Sequence, residues 1–346
     1  MNLYPIFRAL LFQLEPEQAH QLTLRLMQLT GKISPLNSLV RLNYSAPAHP
    51  VEAFGLKFCN PLGLAAGYDK DGIAWRGLAS LGFGHIEIGT VTPRPQPGNP
   101  QPRLFRLPDD EALINRMGFP GRGAEFVLQQ ISKPRPKSLV LGVNIGKNKD
   151  TPVEDAVQDY LHLVRLFSGT ADYLAVNVSS PNTVGLRQLQ ARQELDQLLK
   201  QVSLERENSH SKVPILVKLA PDLEDAQLDD ALDVILSNRM DGVIATNTTI
   251  AREGLHSPFA REPGGLSGRP LFERSLAIVA KIHTRTQRKL PIIAVGGVAN
   301  ATGVQQMMDA GASLVQIYTG LVYAGPGLIK LILQELQSTQ VIKNNP

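Results

Sequence analysis

The chain has 346 residues, of which 43% are hydrophobic and 19% charged, with a net charge of +4. That balance supplies a large core, excludes bulk disorder, and gives no charge excess of the kind a nucleic-acid binder shows. A single cysteine, Cys59, excludes an intrachain disulfide, and no apolar run approaches the ~20 residues needed to span a bilayer.

Residues 1–44 differ in pattern from the rest of the chain. Leu3, Ile6, Phe7, Leu10, Leu11 and Leu14 fall on one stripe of a helix. Pro16 suits the first turn of a second helix, in which Ala19, Leu22, Leu26 and Leu29 form a stripe widened by Leu24 and Met27. Gly31 is expected to stop it. Arg8, Arg25, Lys32 and Arg41 outweigh Glu15 and Glu17. Two readings stand: a hairpin packed on its own domain, or an amphipathic hairpin lying on a membrane with basic residues toward anionic lipid. The N-terminus lacks a basic stretch followed by an unbroken apolar core, so no signal peptide is expected. Pro47 and Pro50 mark 45–51 as a linker. The expected division is a hairpin over 1–44 and a catalytic domain over 45–346.

A small hairpin is expected over 51–58. Short apolar strands then alternate with helical segments. Strands are expected at 62–66, 86–90, 139–145, 173–178, 215–219, 242–246, 292–295 and 314–318. Helices are expected at 153–167, 194–207, 225–238, 272–285, 301–310 and 328–337. Eight such alternations over about 280 residues point to an α/β fold, a (β/α)8 TIM barrel behind an N-terminal amphipathic hairpin. A doubly wound open sheet is the rival, but no G-x-G-x-x-G follows an early strand. Two connections are long, 91–121 and 248–271. Such loops in a compact domain are commonly lids or site walls.

Barrel chemistry sits at the carboxyl ends of the strands. Those ends carry Ala66 to Gly72, Thr90, Asn144, Asn177 to Asn182, Lys218, Thr246 to Thr248, Gly296-Gly297 and Tyr318 to Gly320, with Asn115 to Phe119 in the long second loop. The mouth is rich in amides, hydroxyls, lysines and glycines, and lacks paired carboxylates and histidines. That suits a neutral or anionic heteroaromatic ligand rather than glycoside hydrolysis. No H-E-x-x-H or cysteine pair marks a metal site. Gly296-Gly297 and Thr319-Gly320 follow the last two strands, where barrels commonly bind phosphate through backbone N–H groups. Lys218, between Val217 and Leu219, needs an anionic partner if it points inward. It is either a barrel-layer lysine paired with a carboxylate or a cation beside an anionic ring. Cys59 lies at the wrong end of its strand for chemistry. Asp69 and Asp71, beside Lys70, suit a turn or ion pairs. The stretch 177–183 places Ser180 at the end of a buried strand between two amides, and Pro181 breaks the strand there. Taken alone it also reads as a capped turn.

N-P-L-G-L-A-A-G-Y-D-K-D-G, N-R-M-G-F, N-V-S-S-P-N-T, L-S-G-R-P-L and the two terminal glycine motifs, in that order, resemble the dihydroorotate dehydrogenases. The match spans essentially the whole chain. Ser180, where the soluble class carries cysteine, and the leader over 1–44 resemble the membrane-associated, quinone-dependent class. Tyr68 departs from the usual leucine. The resemblance implies one FMN over the barrel mouth, its phosphate at Gly268, Gly297, Tyr318 and Thr319. Ala66, Gly67, Tyr68, Asp69, Lys70, Thr90, Asn144, Asn177, Lys218 and Thr246 would line the ribityl chain and ring. It implies a dihydroorotate site of Lys70 on the carboxylate, with Asn115, Arg116, Met117, Gly118, Phe119, Asn177, Asn182, Asn247 and Thr248 around the ring. Ser180 would take the C5 proton as C6 gives hydride to the flavin, with Thr183 or water passing the proton on. Electrons would go to a membrane quinone through an entrance formed by the hairpin. The loop 180–193 would act as a lid, and the protein would lie peripherally on the cytoplasmic face of the cell membrane. Alternatives left open are a soluble acceptor such as fumarate or NAD, a phosphate-binding barrel lyase using Lys218 as a Schiff base, and a non-catalytic membrane-surface module.

Overall fold

The structure, a computed structural model, describes residues 4–136 and 138–344; Leu3 of the first stripe lies outside them. It opens with α1 (Tyr4–Leu11), α2 (Pro16–Lys32) and α3 (Ser34–Tyr44). The expected hairpin thus gains a third helix, which starts at Ser34 with Pro35 in its first turn. Next come β1 (Val51–Ala53), β2 (Leu56–Phe58), β3 (Leu62–Leu64), α4 (Trp75–Ala79) and β4 (His85–Val91). The first long connection folds into β5 (Leu104–Leu107) and β6 (Ala112–Asn115) before α5 (Ala124–Ile131). The chain continues through β7 (Val140–Ile145), α6 (Ala156–Phe167), β8 (Tyr173–Asn177), α7 (Arg192–Asn208), β9 (Ile215–Leu219), α8 (Asp225–Ser237) and β10 (Gly242–Ala245). The second long connection forms β11 (Gly265–Gly268) and leads to α9 (Phe272–Arg285). Then come β12 (Ile292–Val295), α10 (Ala301–Asp309), β13 (Leu314–Ile317), α11 (Thr319–Ala324) and α12 (Leu328–Asn344).

The parallel strands close into a barrel in the order β10-β12-β13-β3-β4-β7-β8-β9. These are the eight strands legible in the sequence, with ends shifted by one or two residues. The helices follow their expected spans, and local chemistry fixes their starts. Glu224 and Gln227 form a reciprocal capping box on α8, and Asn300 Oδ1 accepts from Gly303 N–H at 2.8 Å to cap α10. Most of the core lies between barrel and helices, where one face of each strand meets the apolar stripes. A smaller cluster fills the interior: Tyr173, Leu216, Ile244, Ile293 and Leu314 pack with Phe58 of the β1–β2 hairpin, which plugs the amino end of the barrel. Cys59 follows that hairpin and is half-buried, its thiol pushed up by burial.

The two long connections are not plain loops. β6 pairs antiparallel with both β5 and β11, so the connections share a three-stranded sheet. Its inward residues, Phe105, Leu107, Ala112, Ile114 and Leu266, make a separate apolar cluster.

The N-terminal helices dock on the barrel through small residues and polar anchors. A Cβ added to Gly77 of α4 would lie 2.0 Å from Met27 O, and one added to Gly31 would lie 2.8 Å from Gly77 N. Gly31 therefore does not stop α2; it lies in the helix and lets α2 cross α4 at backbone contact. Tyr4 Oη donates to Val322 O at 2.6 Å, and Arg8 Nη1 donates to Tyr323 O at 2.9 Å. Arg8 is thus turned inward rather than toward lipid. Leu24 and Met27 pack on the core, while Ile6, Phe7, Leu10, Leu14, Leu22, Leu26, Leu29, Leu36, Leu39 and Leu42 are exposed. Among the described residues no helix is long and apolar enough to cross a membrane.

Gly77→Ala should destabilise the protein by about 1–3 kcal/mol, the usual cost of overpacking, and loosen α2. Thermal unfolding and protease cleavage within 12–34 measure both effects. Gly169→Ala, where an added Cβ meets nothing within 4 Å, should leave the midpoint unchanged.

Candidate active site

A cavity of about 1160 Å³, counting its open mouth, lies at the carboxyl ends of the strands. The sheet of β5, β6 and β11 roofs it with Leu104, Leu113, Asn115 and Ser267, and α2 contributes His20.

The floor is a network of buried polar groups. Lys218 reaches inward from β9, with its Nζ 3.7 Å from Glu87 Oε1 of β4. Glu87 is fully buried. It accepts from Asn144 Nδ2 at 2.8 Å, Tyr173 Oη at 3.0 Å and Gln316 Nε2 at 2.9 Å. Burial and the Glu87 carboxylate push the Tyr173 phenol far above its ordinary range, so it stays a donor. Asn144 Oδ1 in turn accepts from Thr90 Oγ1 at 2.5 Å and from Asn177 Nδ2 at 3.1 Å. Asn177 Oδ1 accepts from Ser179 Oγ at 3.1 Å and Asn247 Nδ2 at 3.3 Å, and Asn247 Nδ2 also reaches Ser179 Oγ at 2.9 Å. The amides are therefore fixed in rotation by a chain that starts at one carboxylate.

The loop after β8 carries Ser180, which is buried and lines the cavity. Its Oγ accepts from Asn182 N–H at 3.2 Å. Thr183 Oγ1, buried three residues on, has no hydrogen-bond partner among the described residues. Asn182 Nδ2 donates to Asn115 Oδ1 at 3.2 Å, tying this loop to β6. Arg187 ties it to two other loops: Nε donates to Ser179 O at 3.0 Å, Nη2 to Thr248 O at 3.0 Å, and Nη1 to Asp222 Oδ2 at 2.9 Å.

One wall is glycine and hydroxyl. Gly296, Gly297, Gly268, Thr319 and Gly320 line it, beside Thr246. Gly297 has φ +74°, and an added Cβ would strike Phe272 N at 2.6 Å, so only glycine fits between the cavity and the start of α9. Ser267 Oγ and Thr319 Oγ1 share a hydrogen bond of 2.8 Å.

The opposite wall, toward α2, is Ala65, Ala66, Gly67, Lys70 and Tyr318. Lys70 Nζ donates to Gly67 O at 2.7 Å. Burial, with Arg103 adding to it, lowers the Lys70 pKa to about 8, against the opposing pull of Glu17. Glu17 of α2 holds Arg103 through two hydrogen bonds of 2.8 and 3.1 Å. His20 is held neutral, with burial and Lys70 lowering its pKa to about 3.

Of the residues singled out in the sequence, the structure gathers Ala66, Gly67, Lys70, Thr90, Asn115, Met117, Gly118, Phe119, Asn177, Ser180, Asn182, Lys218, Thr246, Asn247, Thr248, Gly268, Gly297, Tyr318 and Thr319 around this cavity. Four stand behind its surface. Tyr68 packs edge-on between His20 and Tyr318. Asp69 accepts from Ile73 N–H at 2.9 Å and Ala74 N–H at 2.8 Å, capping the turn before α4, and burial raises its pKa to about 6. Asn144 lies beneath Thr90 and Asn177. Arg116 pairs outward with Glu262 at 2.7 Å and stacks on Phe105. Glu87, Gln316, His20 and Leu104 were not singled out. Glu87 had a visible signal, a carboxylate between Ile86 and Ile88 in a strand that must be buried. Among the described residues no cluster of histidine, cysteine or carboxylate side chains could hold a metal ion.

Comparison with known proteins shows the family. Residues 48–339 match the family described as dihydroorotate dehydrogenase. The chain is 48% identical to the dihydroorotate dehydrogenase (quinone) of Halorhodospira halophila, covering 95% of this chain and 96% of that one. It is 50% identical to the enzyme of the same name from Nitrosospira multiformis, covering 96% of each. A crystal structure from Eimeria tenella, of the enzyme in complex with ferulenol, superposes with a TM-score of 0.85 at 37% identity, covering 95% of this chain and 92% of that one.

Proposed function

We propose roles for individual residues from one premise: the chain belongs to the dihydroorotate dehydrogenase family, in its quinone-dependent class. It is an FMN-dependent enzyme that oxidises dihydroorotate to orotate in pyrimidine synthesis, with electrons passing to a membrane quinone. The observation that carries the residue-level reading is the convergence of Lys70, Lys218, Ser180 and four asparagines, Asn115, Asn177, Asn182 and Asn247, on one cavity.

The cavity fits FMN on chemistry. Its glycine wall leaves no side chain in the way of a phosphate, and its floor holds a cation, with Gln316 among the lining residues. When bound, FMN supplies the hydride acceptor. Gly268, Gly297, Tyr318 and Thr319 hold its phosphate in this reading, and Ala66, Gly67, Thr90, Asn177, Lys218 and Thr246 surround its ribityl chain and ring. Lys218 stabilises negative charge at the pyrimidine end of the ring. Tyr68, Asp69 and Asn144 act from behind by fixing Tyr318, the 67–75 turn and the Thr90–Asn177 pair. Lys218 Nζ is engaged by the Glu87 carboxylate at 3.7 Å, an arrangement unlike the free amine a Schiff-base lyase needs.

Lys70 takes the substrate carboxylate, and Asn115, Asn177, Asn182, Asn247 and Thr248 hydrogen-bond the pyrimidine edges. Met117, Gly118 and Phe119 wall the ring, and Arg116 braces that wall through Glu262. Ser180 removes the C5 proton. The Asn182 N–H on its Oγ favours the anionic form, and the free hydroxyl of Thr183 is placed to pass the proton on. Residues 1–44 form the membrane-facing segment: their exposed leucines make one apolar surface, flanked by exposed Arg25, Lys32 and Arg41. The segment sits peripherally, on the cytoplasmic face, and quinone enters between α1 and α2. The remainder, 45–346, is the catalytic barrel.

Four outcomes test this. The purified protein should show a flavin spectrum that dihydroorotate bleaches without oxygen. Ser180→Ala should keep the spectrum and slow bleaching by at least about 100-fold, the scale of a lost general base; bleaching at the wild-type rate removes Ser180 from its role. Orotate affinity should be flat below about pH 7. Above pH 8, where Lys70 loses its proton, it should fall by up to about tenfold per unit, since binding an anion needs the cation. A flat profile to pH 9.5 dissociates Lys70 from the carboxylate. Replacing Leu22, Leu26 and Leu29 together by glutamate should cut binding to anionic vesicles by more than about tenfold while bleaching persists; undiminished vesicle binding refutes the assignment of this face.

A further inference from the structure

Glu87 has no part in the roles above. Every group that faces its carboxylate is a donor. Oε1 meets Asn144 Nδ2 at 2.8 Å and Lys218 Nζ at 3.7 Å; Oε2 meets Gln316 Nε2 at 2.9 Å and Tyr173 Oη at 3.0 Å. An ionised carboxylate accepts only, so it also dictates which way its neighbours point. Asn144 must turn Oδ1 toward Thr90 and Asn177. Gln316 must turn Oε1 away, where it finds no partner among the described residues. Both Lys218 and Gln316 line the cavity. One buried charge thus decides that the floor presents a cation and a carbonyl oxygen.

Without its counter-charge, the Lys218 cation would put an uncompensated positive charge beside the ring. It would favour the negatively charged reduced ring so strongly that electrons would be held back from the acceptor. An adjacent carboxylate cancels much of that field beyond the pair. We propose that Glu87 is a positioning residue that acts through Lys218 to set the midpoint potential of the flavin. This rests on the reading that the cavity holds FMN.

The test is spectroscopic equilibration of the holoenzyme with redox dyes. Glu87→Gln is nearly isosteric, and Gln316 and Tyr173 can each reorient to meet the new amide. It should raise the equilibrium ratio of reduced to oxidised flavin about tenfold at fixed potential, which is about 30 mV for a two-electron couple. Glu87→Asp, which keeps the charge, should stay within about twofold of wild type. Tyr173→Phe removes a donor from the carboxylate and leaves it more negative, so it should shift the ratio the other way. This variant makes the test where Glu87→Gln does not accumulate as folded protein. An unchanged or lowered ratio in Glu87→Gln, or an unchanged one in Tyr173→Phe, overturns the proposal. Wild-type protein without flavin would instead overturn the reading of the cavity, so the two failures are distinguishable.

Discussion

A lysine inside a parallel barrel must be matched, and the Lys218–Glu87 pair is the constraint around which this mouth is built. Both side chains are out of water, at 7% and 0% exposure. Desolvating each ion costs several kcal/mol, and only good geometry with further hydrogen bonds offsets it. Those further bonds come from Asn144, Tyr173 and Gln316. Asn144 then orients Thr90 and Asn177, and Asn177 orients Ser179 and Asn247. A chain of fixed rotamers runs from the barrel axis to the loops after β8 and β10. Those loops carry Ser180 and Thr248, so the geometry at the reacting end is set by a charge in the floor.

A bare barrel offers an open mouth, and three additions turn it into a cavity. β5, β6 and β11 cover one side, and the Asn182–Asn115 bond joins that roof to the Ser180 loop. Arg187 joins the Ser180 loop to the loop after β10 through two backbone carbonyls, with Asp222 as its counter-charge. The third addition is α2. It presents Leu22, Leu26 and Leu29 outward, yet His20 lines the cavity and Glu17 clamps Arg103. One helix therefore has an exposed apolar face and a face in the active cavity.

The barrel was legible because each strand is an apolar run bounded by turn residues and each helix keeps its 3.6-residue period. The mouth residues were legible because strand ends point to one rim. What stayed hidden depends on contacts between distant segments. β5, β6 and β11 are four residues each, and while β5 and β6 pair locally, β11 joins β6 from 150 positions away, as in Gly265 opposite Asn115, so neither long connection announces a sheet. Gly31 looks like a helix stop, but its partner is Gly77, and only tertiary crossing turns a breaker into a packing notch. Arg8 looks like a lipid-facing cation, but its acceptor is a carbonyl 315 residues away. Glu87 is the instructive case. The sequence demanded a counter-charge for Lys218 without saying where, although a glutamate between two isoleucines was its natural place.

Serine is a weak base, and no histidine or carboxylate bonds to Ser180 Oγ among the described residues. What the structure supplies instead is a dry and fixed setting. Ser180 is buried, its Oγ is held by the Asn182 N–H, and the preceding carbonyl is held by Arg187. In such a setting a peptide donor is worth more than in water, because nothing reorganises as charge forms. Thr183 Oγ1, three residues on, is buried with no hydrogen-bond partner among the described residues. A cysteine would begin nearer neutrality, with a pKa near 8.5, and would depend less on such support. The support at this position comes from the loop contacts of Asn182 and Arg187 rather than from any ionisable neighbour among the described residues.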